Sequence, residues 1–310
     1  MESIRPWSAA YRASLKPPEL EERLDLLIYR PLASLIAWPL RRSSVSPNQV
    51  SVASALCGVA AGFLFWRATP RAAVAAGLVY FAGNVLDCVD GQLARLQGSS
   101  SPIGYLVDGA ADYVGTIAVF IGMAHGLGVR RPMAVSWWWL AVAAGASMAW
   151  QCAFLDEKRG AWQDRVYRKR RDRAEELEIM MSQARTWKSE RSHPLGRALI
   201  GVYQWYRRAW NPLTRAKTGA PSENSAEDDA DDAATDRWAR CHRPVLRSSV
   251  WTGPTMHVTA IVVLAGFADR PEWYFASAVV LGNIGMLATL LAERRARRCA
   301  AGPAGAPEKV

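Results

Sequence analysis

Charge is missing from long stretches of this 310-residue sequence. Val50 to Trp66, Pro132 to Leu155, Thr252 to Ala268 and Trp273 to Ala292 hold no Asp, Glu, Lys or Arg. Cysteine is sparse and odd in number, at five, which excludes a small disulfide scaffold. Gly 23 and Pro 17 stand near background, which excludes a collagen-like or low-complexity chain. Leu, Ile, Val and Phe are too plentiful for a disordered one. On average the sequence is half apolar and 21% charged, with net charge +10 and mean hydropathy −0.05. Those averages describe an ordinary basic soluble protein, and the placement of the charges excludes it.

A bilayer core of about 30 Å needs ~20 apolar residues in a helix. The four uncharged runs are of that order. Ala72 to Leu96 and Ile103 to Gly128 are equally long and apolar, interrupted by Asp87, Asp90, Arg95, Asp108 and Asp112. The expected fold is therefore an all-α integral membrane protein with six transmembrane helices. The first 45 residues are polar and charged, so no cleaved signal peptide is expected. Glu19 to Arg42 sets Leu and Ile among charges. It reads as an amphipathic segment of two short helices broken at Pro31, lying on the membrane surface, or as a soluble helical hairpin packed on the rest of the chain.

Lys and Arg set the expected orientation. Seven fall in the first 46 residues, twenty between Asp156 and Arg247, and five in the tail. The positive-inside rule puts these three regions in the cytoplasm, the cytoplasmic (inner) membrane being the expected location. Arg67, Arg71, Arg130 and Arg131 in the outer joints blur the bias. Five regions follow: an amphipathic segment (1–46), four spans (47–155), a basic helical insertion (156–247), two more spans (248–293) and a tail (294–310). Within the insertion, Arg165 to Met181 and Leu195 to Trp210 have helical spacing, and 221–236 reads as an acidic disordered linker. The basic insertion suits anionic lipid headgroups. Nothing else in the sequence supports binding to nucleic acid.

Ionisable groups within a span are expensive and point to function. Asp87 and Asp90 are three residues apart near the end of the second span; Asp108 and Asp112 are four apart near the start of the third. Each pair shares a helix face, and the short Gly/Ser-rich joint makes the two helices antiparallel neighbours whose carboxylates converge. Four such charges repel. Either protons relieve them, as in a proton-coupled transporter, or divalent metal does, and an all-oxygen site suits Mg²⁺ or Mn²⁺. Gly91 and Gly104 allow close approach of a ligand. Arg95, one turn past Gly91, offers a planar fork for phosphate. Together they suggest a nucleoside diphosphate at a membrane surface.

These residues resemble the signature of the CDP-alcohol phosphotransferase family, also called CDP-alcohol phosphatidyltransferases. The pattern runs Asp87, then Asp90-Gly91, two residues, Ala94-Arg95, eight residues, Gly104, Asp108 and Asp112. Ser46-Pro47-Asn48 is similar to the family's opening. The resemblance implies transfer of a substituted phosphate from a CDP-linked donor, CDP-diacylglycerol or a CDP-headgroup, to the hydroxyl of an acceptor alcohol, with release of CMP, in phospholipid biosynthesis. It implies two divalent ions on Asp87, Asp90 and Asp108, with Asp112 as the base and a further metal contact. Gly91, Ala94 and Arg95 would meet the CDP moiety, and Gly104 would be a small packing position. It implies a homodimer as well.

Other residues stay open. Asn48 either bonds a donor phosphate or caps the first span. His257 either touches the acceptor or is held by hydrogen bonds in its helix. Arg159, Arg243 and Arg247 either bind an anionic acceptor or anchor the cytoplasmic face. Two other uses of the pattern are a catalytically silent lipid-binding or regulatory membrane protein and a cation-coupled transporter. The completeness of the motif speaks against the first; the lack of Gly/Pro-broken helices in both halves speaks against the second.

Overall fold

The computed structural model describes residues 7–99, 102–132, 136–167 and 228–301, and among these every regular element is helical. A short α1 (Trp7–Ser14) leads to one π-helical turn (Asp25–Tyr29) and α2 (Arg30–Leu40). The long helices are α3 (Pro47–Trp66), α4 (Pro70–Gln97), α5 (Pro102–Arg130) and α6 (Trp137–Val166). After them come α7 (Asp228–Ser249), α8 (Pro254–Ala260) with a π-helical continuation (Ile261–Phe267), and α9 (Pro271–Ala301). Six helical stretches are long and apolar enough to cross a bilayer. Large apolar side chains point outward along them, with Leu56 64% exposed and Leu281 66%. In water such a surface would be an aggregation liability; in lipid it is solvated.

Local chemistry fixes the helix ends. Ser46 accepts from the Gln49 amide while the Gln49 side chain accepts from the Ser46 amide, a capping box with Pro47 at the first helical position. Thr69 caps α4 ahead of Pro70. Gly98, at φ 64°, ends α4 in the left-handed region that a side chain would disfavour.

The chain forms two compact units. The first comprises Met1–Cys152 and Trp251–Asn283. Within it α3 packs along both α4 and α5. The α3–α5 seam is lined by Gly58, Gly62, Gly115 and Gly122, and a Cβ on Gly62 would run into the backbone of Ala118. Small residues at helical spacing let two backbones touch, which drives association where lipid offers no hydrophobic gain. The second unit comprises Ala153–Val250 and Ile284–Val310. There Glu293 is bridged by Lys158 at 2.8 Å and Arg297 at 2.6 Å, and Trp162 is buried against Trp238. Cys241 and Cys299 form a disulfide in the same unit.

Several boundaries differ from expectation. The N-terminal segment does not break at Pro31: the π-helical turn runs straight into α2, and Pro31 sits in the first turn, where its missing N–H is harmless. Its outward residues are apolar, Leu27 and Leu35 among them, while Glu21, Glu22, Asp25 and Arg30 are buried. Tyr29, Ala33 and Ala37 pack on Val85, Cys88, Val89 and Leu93 of α4. The fourth span starts at Trp137 rather than Pro132 and continues to Val166, past the expected end at 155. The disordered linker expected over 221–236 is helical from Asp228, where an Ala-rich run with acids in its first turn favours helix. The fifth span opens at Pro254, within two residues of the expected Thr252, and α9 crosses the expected boundary at 293. The helices expected within 168–227 and the tail after residue 301 lie outside the described residues.

Candidate active site

The motif begins on α4. Asp90 is buried and accepts a 2.6 Å hydrogen bond from Ser51 Oγ on α3. Ser51 lies one turn past the cap that Ser46 builds, so the Ser-Pro-Asn opening of α3 sets its height against the motif. Asp87, half-buried, stands three residues earlier on the same face. Gly91 leaves the Arg95 guanidinium in ordinary contact distance, 3.5 Å from where a Cβ would stand. Arg95 Nε donates to the Ser14 carbonyl, and its Nη2 is buried with no partner among the described residues. A buried donor left unmet in the protein is costly and marks a place for an anionic ligand. Ala94 is half-buried between these groups in sequence.

The second half of the motif is on α5. Asp112 is exposed, one turn before Gly115, which abuts Gly58 of α3. Tyr80 of α4 meets Thr116 of α5 at 3.4 Å. α3 packs along both α4 and α5 and is their common neighbour. Gly104 and Asp108 lie in the first two turns of α5, and their side chains are outside the described residues. Among the described residues, no three of His, Cys, Asp and Glu stand close enough to hold a metal ion. The donor chemistry of Asp87, Asp90 and Asp112 is all carboxylate oxygen, which fits Mg²⁺ or Mn²⁺ and not a thiophilic metal.

The remaining candidates separate. Asn48 is exposed on the first turn of α3, and the cap belongs to Ser46. His257 is buried with Nε2 3.1 Å from Gln151 Oε1 and Nδ1 3.4 Å from the Tyr274 hydroxyl, so both ring nitrogens are engaged within the helices. Arg159, Arg243 and Arg247 belong to the second compact unit, while every described motif residue belongs to the first.

A set of charges around the site escapes a reading of the sequence. Arg30 donates to the Cys88 carbonyl, between Asp87 and Asp90, at 3.4 Å, and bridges Glu21 at 3.2 Å. Asp25 accepts from Thr255 at 2.8 Å, and Glu22 from the Met256 amide at 3.2 Å. Glu22 also fills the space where a Cβ on Gly253 would stand. The segment's leucines suggested charges turned to water. The only signal to the contrary was the density of acids ahead of one arginine in an otherwise apolar stretch.

Residues 44–168 match the family model of CDP-alcohol phosphatidyltransferases. The archaetidylinositol phosphate synthase of Pyrococcus horikoshii is 29% identical over 113 residues, covering 36% of this chain and 54% of that protein. The chain thus spans about half the length of this curated relative. Six apolar helices and the family match make this an integral multi-pass membrane protein. The segment that matches this family, residues 44–168, contains every motif residue from Asp87 to Asp112.

Proposed function

We propose that the protein transfers a substituted phosphate from a CDP-linked donor to the hydroxyl of an acceptor alcohol, releasing CMP. The observation that carries this reading is Arg95, whose buried, unpartnered Nη2 stands one turn from Asp90 and Gly91 in an unbroken family motif. Asp87, Asp90 and Asp108 would hold the divalent pair, with Asp112 at its edge. Bound there, the ions neutralise the diphosphate and make CMP a better leaving group. Arg95 binds and orients the diphosphate, and the bond between Ser51 and Asp90 keeps one carboxylate from turning away. Asp112 takes the proton of the acceptor hydroxyl as its oxygen forms the new bond to phosphorus and the bond to CMP breaks. A carboxylate is a weak base alone, and a polarised hydroxyl makes it adequate.

The charge distribution supports a site facing the cytoplasm of the inner membrane, with the basic 156–247 region against anionic headgroups. A homodimer is part of the same proposal. CDP-diacylglycerol and CDP-headgroup donors both remain in the reading. Because the P. horikoshii relative is an archaetidylinositol phosphate synthase, inositol phosphates join glycerol phosphate and simple alcohols as acceptors to try.

The test is CMP release by the purified full chain with Mg²⁺ or Mn²⁺ across such a panel. Asp112→Asn should lower turnover by about 10²-fold or more, in the range expected for a general base, with donor binding retained. Equal CMP release by wild type and Asp112→Asn would sink the assignment.

A further inference from the structure

The N-terminal segment grips the motif end of α4 at several points. Arg30 binds the Cys88 carbonyl at 3.4 Å, and the Arg30 carbonyl accepts from Gln92 Nε2 at 3.1 Å. Arg30 Nε and Nη2 donate to Glu21 Oε2 at 3.3 and 3.2 Å. The other Glu21 oxygen accepts from the Lys16 amide at 3.2 Å. Two residues before Lys16, the Ser14 carbonyl receives Arg95 Nε. A continuous path of polar contacts and three residues of backbone therefore runs from the Asp87–Asp90 turn through Arg30 and Glu21 to Arg95.

This pair is deep, with Arg30 7% and Glu21 4% exposed. Burying two charges costs so much solvation that an apolar pair of similar volume often stabilises a fold as well or better. Here each partner also holds backbone: Arg30 holds α4, and Glu21 holds the turn that follows α1. That turn decides where the Ser14 carbonyl stands. The carbonyl in turn pins the Nε edge of Arg95 and leaves Nη2 unpartnered. A guanidinium fixed on one edge loses less freedom when its remaining donors meet a phosphate.

Building on the transferase reading above, we propose that Glu21 and Arg30 are positioning residues for the donor. Their ion pair fixes the turn after α1 so that the Ser14 carbonyl holds Arg95 ready for the diphosphate of the CDP-linked substrate. Neither residue touches the reacting atoms.

The experiment measures binding of CDP itself, with Mn²⁺, to the purified full chain. Arg30→Lys keeps the charge and loses the fork. Glu21→Gln keeps the shape and an acceptor oxygen, and it carries the test if Arg30→Lys does not fold. Each should weaken CDP about tenfold, the size of one misplaced charge-assisted hydrogen bond. In an Arg95→Lys background neither should weaken CDP further, because they act through Arg95. Turnover at saturating donor and the acceptor KM should not change. Asp269→Asn, at an ion pair remote in sequence from the motif, controls for loss of stability alone and should leave CDP affinity intact. Unchanged affinity in folded Glu21→Gln, or a loss that adds to that of Arg95→Lys, overturns the positioning role alone. A wild-type protein that binds no CDP overturns the transferase reading, and the positioning role with it.

Discussion

Ser51 shows how much of the site rests on one hydroxyl. It is buried, and it donates to Asp90 at 2.6 Å. Ser51→Ala leaves a buried carboxylate oxygen short of a donor, at a cost of roughly 1–3 kcal/mol. It should lower the melting temperature and raise the Mn²⁺ concentration needed for half-maximal CMP release. A variant that melts lower with unchanged metal dependence would leave Ser51 a packing role only. At this scale the motif itself was legible, because a membrane helix carries Asp, Gly and Arg at such fixed spacing only at a cost that ligand binding repays. Ser51 was not, since a serine near a helix start reads first as a cap. Arg30 and the acids before it were misjudged for a related reason. An amphipathic pattern says that two faces differ, and it does not say which one meets lipid. Here Leu27 and Leu35 turn outward, while Arg30 reaches α4 and Glu22 and Asp25 reach the start of α8.

Helices were legible wherever charge was absent and Pro or Gly marked an end. Pro47, Pro70, Pro102, Pro254 and Pro271 each open a helix, and Gly98 closes one. The contact at the start of α8 was not legible, because Glu22 accepts from the Met256 amide across 234 residues of sequence. The packing of α3 on α5 belongs to this scale too. Gly62→Ala should push the two backbones apart and cost ~1–3 kcal/mol, as overpacking does. Gly128→Ala, on the same α5 but with open space around it, should be neutral or gain up to about 1 kcal/mol from helix propensity. Thermal unfolding of both in one detergent checks the contrast, and equal effects would mean that the seam is not tight. The acidic run before α7 shows composition misleading in the other direction. Lacking aliphatic bulk, it read as linker, yet alanines and N-terminal acids suffice for helix from Asp228.

For the molecule as a whole, the imperfect charge bias has a structural cause. Two of the four arginines that blur it are neutralised at close range: Arg130 pairs with Asp269, and Arg131 with Glu272. A sequence count treats these cations as free. The hydrogen bonds from Arg130 hold the Asp269 carboxyl below its ordinary value. Its contribution to stability is thus present above the unfolded-state pKa of about 3.9 and is lost as pH falls through the lower folded value. Melting of wild type and Asp269→Asn should differ near neutral pH, and the difference should close as pH is lowered below the ordinary carboxylate range. A gap that persists in acid would assign the effect to shape and not to charge. The division into two compact units was only half legible: the long insertion was visible, while the continuation of α6 and α9 into the second unit was not. That second unit carries one covalent feature with a reach beyond it. The bond between Cys241 and Cys299 closes the backbone from α7 to α9 into a ring. The apolar stretches of the last two spans lie within that ring. A single nick at the joint between them opens the circle without releasing a fragment, so the pair stays one molecule until the sulfurs are reduced.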